Sequence, residues 1–144
     1  MKNVSTFKFT VSNMKKAPTF YAVTLLFIMI GATLLFIDGS HKYFTLQWLS
    51  LAFACIIMGC RNSYELGLSN TSLSQKTLMS VRIQIAVLFI VGSFSCTYWI
   101  FGTLGLNDQT QEVLAKMGSV FAVWMGICYV MYMVFFDIAR KSTE

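Results

Sequence analysis

The sequence predicts an all-α, polytopic membrane protein: a bundle of four transmembrane helices with the N- and C-termini both in the cytoplasm. Three observations lead there. Four apolar runs each approach the roughly 20 residues a helix needs to cross a bilayer. They are TFYAVTLLFIMIGATLLFI (19–37), YFTLQWLSLAFACIIMGC (43–60), IQIAVLFIVGSFSCTYWIFG (83–102) and MGSVFAVWMGICYVMYMVFF (117–136). Of the 144 residues, 56% are hydrophobic and 12% charged, whereas a soluble domain carries about 25% charge. Nine of the eleven lysines and arginines fall on one side of the runs: Lys2, Lys8, Lys15, Lys16, Arg61, Lys76, Arg82, Arg140 and Lys141, against Lys42 and Lys116.

That asymmetry is a positive-inside signature, which places both tails and the middle loop in the cytoplasm. The net charge of +5 therefore reports topology and contact with anionic membrane lipids, and gives no reason to expect nucleic acid. Helices follow because lipid offers no partner to an unpaired backbone amide. A β-barrel would need alternating apolar and polar positions, and these runs are continuous.

Taken in order, residues 1–18 form a basic cytoplasmic tail. Within it FKFTV alternates, placing Phe7, Phe9 and Val11 on one side of an extended segment; such a tail rests on the lipid surface or docks as a short strand or interfacial segment. Pro18 suits the first turn of a helix, where its missing amide costs nothing. The membrane domain spans 19–137. Span one (19–37) is too long for a secretory signal and lacks a small-residue cleavage site, so it reads as an uncleaved anchor. Gly39 is placed to cap it, and the short connection makes spans one and two an antiparallel hairpin. Tyr43, Phe44 and Trp48 with Tyr98 and Trp99 predict the outer half of an aromatic belt, and Phe20, Tyr21, Phe135 and Phe136 the inner half.

After span two (43–60), residues 61–82 read as a helical hairpin standing into the cytoplasm. Gly67 is the expected C-cap of its first helix. Ser72 and Gln75 form a capping-box pattern that starts its second helix near Leu73. Span three covers 83–102. Span four is drawn as 113–136, opened by Asp108 and Gln111 at the same spacing and supported by the Glu112–Lys116 pair at i, i+4. A short tail, 138–144, ends the chain.

The candidate functional residues are of three kinds. Gly118, Ala122 and Gly126 recur every fourth position among bulky neighbours, a doubled small-xxx-small edge that lets another helix approach closely, within the chain or from a second copy. Gln47, Ser50, Ser93, Ser95 and Thr97, with Lys116 near the outer end of span four, are the polar groups that could line a path; helix-to-helix hydrogen bonding is the plainer reading of the hydroxyls, and snorkelling toward Glu112 that of the lysine. Arg61, Tyr64, Glu65, Lys76 and Arg82 give the cytoplasmic hairpin a surface for a protein partner.

No constellation for catalysis, cofactor or metal is present. Cys55, Cys60, Cys96 and Cys128 lie in or at the end of spans and read as packing residues, with palmitoylation of Cys60 as an alternative. The single histidine, His41, has no companion ligand. No acidic residue sits within a span, which departs from small multidrug exporters. Paired external cysteines and spanning histidines, needed by four-helix thiol oxidoreductases and haem-anchoring bundles, are missing too. The resulting expectation is a non-enzymatic subunit of the bacterial inner membrane. It would form homo-oligomers and act as anchor or sensor for a cytoplasmic partner, on the plan of immunity, exclusion or phage-defence membrane proteins. The alternative is a small ion channel or transporter using the polar path.

Overall fold

The computed structural model describes residues 5–37, 44–104 and 110–143. Among them the chain is all-helical: α1 (Thr6–Lys16), α2 (Pro18–Ile37), α3 (Phe44–Leu68), α4 (Gln75–Thr103) and α5 (Gln111–Ser142). Two of these, α4 and α5, are long and apolar enough to cross a membrane, and the bent α1–α2 pair makes a third if counted as one span. The expected Gly39 cap, the Asp108 cap, Tyr43 and His41 lie outside the described residues.

The tail is the first correction. Residues 6–16 are helical, not extended. The Ser5 side chain accepts from the Lys8 amide and caps the helix, and Thr10 donates back to the Thr6 carbonyl. Alternation and helical spacing compete over so short a stretch, and the helix wins because it sorts its residues into three faces. Phe9 and Asn13 turn into the protein at 6% and 3% exposure. Phe7, Val11 and Met14 (i, i+4, i+7) form an outward apolar stripe, and Lys8, Ser12 and Lys15 a polar one. α1 stops at Ala17, whose backbone (φ −140°, ψ 66°) is non-helical. Pro18 forces this by crowding the preceding residue out of the helical region and removing an amide. The two axes consequently meet at 105°.

Two caps also move. The start of α4 is capped by Ser74, which accepts from Thr77, and its first residue is Gln75, not Leu73. Ser72 instead donates to the Ser69 carbonyl inside the turn. α5 is capped by Thr110, which accepts from the Val113 amide. Gly67 is not a cap at all: it lies inside α3, and a Cβ there would stand 2.5 Å from the Phe136 carbonyl oxygen and 2.7 Å from the Ala139 Cβ. The missing side chain is what lets α3 and α5 touch.

α3 is the central element, packed on α2, α4 and α5. Its small residues explain why. Gly59, Ser63 and Gly67 are spaced by four and all buried, and Gly59 seats the Phe89 ring of α4, which a Cβ would approach to 2.8 Å. α4 reciprocates with Gly92, whose missing Cβ leaves room for Ile56, and Gly31 of α2 admits Leu51. Such contacts drive helix association in lipid by dispersion, since burying apolar surface from hydrocarbon gains little. The hydrophobic core cluster, Phe9, Leu66, Leu73, Leu78, Val81, Ile85, Phe89 and Cys128, joins α1 to α3, α4 and α5. Leu66, Leu73 and Leu78 flank the polar α3–α4 turn, so shielding from water stabilises this end, by about 1.5–3 kcal/mol per buried side chain. At the other end Trp48 stacks on Tyr98, ring centres 4.9 Å apart, with Phe94 against both.

Candidate functional site

The charges converge on one end of the bundle. On α3, Arg61 and Glu65 stand one turn apart and pair at 2.8 Å. By sequence alone both belong to an exposed hairpin surface. The structure changes that for Glu65: Lys16, the last residue of α1 before the 105° bend, reaches the second carboxylate oxygen at 3.3 Å. Glu65 is 2% exposed and is withdrawn from the hairpin surface. Beside it the Tyr21 hydroxyl donates to Asn62 Oδ1 at 2.9 Å, tying α2 to α3.

The Glu65 carboxylate is clamped by two cations. Its desolvation is offset by charge-assisted bonds from both sides, and the trio links α1 and α3 across 49 positions. Reading Lys16 only as part of the positive-inside signature therefore misses this partner. A signal for it existed: Glu65 is one of two acidic residues before Asp108, so a basic tail at the same end has few carboxylates to choose from.

Of the remaining hairpin residues, Lys76 and Arg82 are exposed, and Arg61 and Tyr64 half-buried. The Arg82 guanidinium lies 6.0 Å from the centre of the Phe136 ring. At the end of α5, Arg140 and Lys141 pair with Asp137 at 2.7 and 3.1 Å. The hydrogen bond from Lys141, with Arg140 adding to it, holds the Asp137 carboxyl below the usual carboxylate range.

The polar-path residues find their hydrogen bonds on different helices. Gln47 donates to the Leu34 carbonyl at 2.8 Å, satisfying one of the open carbonyls at the end of α2, and Ser50 donates to the Phe27 carbonyl at 2.7 Å. Ser93 shares a hydrogen bond with Cys128 of α5. Ser95 and Thr97 donate to carbonyls of their own helix, those of Val91 and Ser93. Gln47 and Ser50 tie α3 to α2 and Ser93 ties α4 to α5, whereas Ser95 and Thr97 bond within α4, and the Gln47 Oε1 is buried without a hydrogen-bond partner. Lys116 is exposed and pairs with Glu112 at 3.3 Å on the outside of α5.

Gly118, Ala122 and Gly126 are exposed on α5, and a Cβ at either glycine would meet nothing within 4 Å. No helix of the described chain uses this edge. The small-residue edge that is used within the chain is Gly59–Ser63–Gly67, equally regular and visible in the sequence.

The four cysteines are free thiols, three buried and Cys60 half-buried beside Met131. Among the described residues no group of three or more His, Cys, Asp or Glu is placed to hold a metal ion. No protein-family model matches the chain, and neither the curated proteins nor the solved structures contain a match to it.

Proposed function

We propose that this chain is an integral inner-membrane subunit that self-associates through α5 and offers its charged end to a cytoplasmic protein. The observation that carries the reading is α5 itself. Only 6% of its apolar window is covered by the rest of the chain, against 44% for α4. A helix that is apolar all round belongs in lipid or against another helix. The uncovered face carries the one regular small-residue edge left unused, where a second copy can bring a backbone close. Four spans are supported by the 20 residues of α2 and 25 of α3, which reach about 30 Å or more at 1.5 Å per residue. The basic residues at the opposite end from Lys116 set that end in the cytoplasm, and α1 lies along its membrane surface with Phe7, Val11 and Met14 toward lipid.

The test is Ala122→Leu, with oligomer size measured in nanodiscs alongside a melting curve. The side chain adds volume where two protomers approach and touches nothing within one. The expected result is conversion of oligomer to monomer with unchanged melting. A wild-type chain that is monomeric at every protein-to-lipid ratio, or a variant indistinguishable from it in size, overturns self-association through this edge.

A further inference from the structure

We propose that the seam between α4 and α5 binds one anionic phospholipid, its acyl chain in the seam and its phosphate on Arg82. The proposal rests on the membrane-embedded part of the reading above and not on self-association.

The seam is a continuous groove made by two stripes of side chains. On α4 the stripe is Arg82, Ile85, Ala86 and Phe89, and on α5 it is Met125, Cys128, Tyr129 and Tyr132, each at i, i+3, i+4 and i+7. Its deep part encloses about 220 Å³ and is walled almost wholly by apolar atoms. That is below the 300–1,000 Å³ of ordinary small-molecule pockets, but a hydrocarbon chain is narrow and needs cover on one side only. Ala86 keeps the α4 wall low between Arg82 and Phe89. The groove then opens at the charged end into a wider mouth of about 700 Å³, bordered by Arg82, Asp137 and Arg140. From Met125 to Asp137 the groove rises about 18 Å at 1.5 Å per residue, close to one leaflet of a hydrocarbon core about 30 Å thick.

The charge at the mouth selects the headgroup. Asp137 is already taken by Arg140 and Lys141. Arg82 has no such partner: among the described residues its contact is with the face of Phe136, and no carboxylate pairs with it. A guanidinium fixed over a ring at the end of an apolar groove presents its donors to a phosphate bidentately. A zwitterionic headgroup would add a second positive charge to a mouth that already has an excess of it.

Native mass spectrometry of the full chain, offered equimolar phosphatidylglycerol and phosphatidylcholine with identical acyl chains, tests the assignment. The expected result is one retained phosphatidylglycerol per chain, preferred about tenfold, because both lipids offer the phosphate but only phosphatidylcholine brings a cation into the mouth beside Arg82 and Arg140. Arg82→Gln should bring the preference close to unity and Arg82→Lys should keep most of it. Ala86→Trp, or Met125→Trp from the opposite wall should either variant misfold, should lose lipids of both headgroups. A chain that is monomeric yet keeps the preference supports the lipid site while removing self-association. Equal retention of the two lipids, an undiminished preference in Arg82→Gln, or displacement of the lipid by millimolar glycerol phosphate overturns the proposal, the last by showing a free-anion site that needs no acyl chain.

Discussion

At the residue scale the informative position is Glu65. Its carboxylate is buried, bonded to Arg61 and to Lys16, and the two partners are not equivalent. The Lys16 side chain is 52% exposed, so its share is that of a screened surface pair, about 1 kcal/mol or less. The Arg61 side chain is 32% exposed, and without Glu65 its guanidinium stays largely desolvated with no carboxylate beside it. Glu65→Ala is expected to cost about 2–3 kcal/mol, somewhat under the range for stripping one partner from a fully buried pair. Lys16→Gln should cost a third of that or less. Melting temperatures of the two variants in one detergent check the ratio, and equal losses would show that Lys16 holds the carboxylate as strongly as Arg61 does. The burial of Glu65 was not legible from its neighbours in sequence. One of its two partners, Lys16, lies 49 positions away in the chain, just before the bend at Pro18.

At the element scale, helices were legible and their contacts were not. Continuous apolar runs dictate helices wherever lipid denies partners to the backbone, and the start of α2 at Pro18 follows from proline's fixed φ. Which glycine edge packs is another matter, because Gly59–Ser63–Gly67 and Gly118–Ala122–Gly126 have the same spacing. What separates them is the partner: α3 is enclosed by three helices, α5 is peripheral. The tail was misread for a related reason, since five residues satisfy both a twofold and a helical period and only the burial of Phe9 and Asn13 decides. The two edges respond differently to one added methyl. At Gly67 it meets a backbone carbonyl that cannot rotate away, so Gly67→Ala should destabilise the chain by about 1–3 kcal/mol despite alanine's better helix propensity. At Gly118 the methyl enters open space, and Gly118→Ala should leave monomer stability unchanged or raise it by up to about 1 kcal/mol. Thermal unfolding under conditions that keep the chain monomeric distinguishes these, and a loss at Gly118 equal to that at Gly67 would mean that α5 is covered within the chain.

At the scale of the whole molecule, the contacts gather one end of every helix into a charged cap. Lys16 meets Glu65, Tyr21 meets Asn62, and Arg82 meets Phe136, so the start of α2, the end of α3, the start of α4 and the end of α5 share one side. Antiparallel packing alone requires only that they alternate. The charge pattern predicts the direction, since lysines and arginines near membrane segments resist translocation. Residue 70 lies in the α3–α4 turn on the charged side, and positions 40 and 107 fall in sequence between α2 and α3 and between α4 and α5. With the native cysteines replaced, single cysteines at these positions and an impermeant maleimide applied to intact cells give the orientation. Ser40→Cys and Asn107→Cys should label from outside, and Asn70→Cys only after the membrane is opened. The reverse pattern would turn the molecule over and place the Glu65 clamp and the Arg82 groove in the outer leaflet. Labelling of all three from outside would mean that the apolar helices do not cross the membrane in the order their charges require.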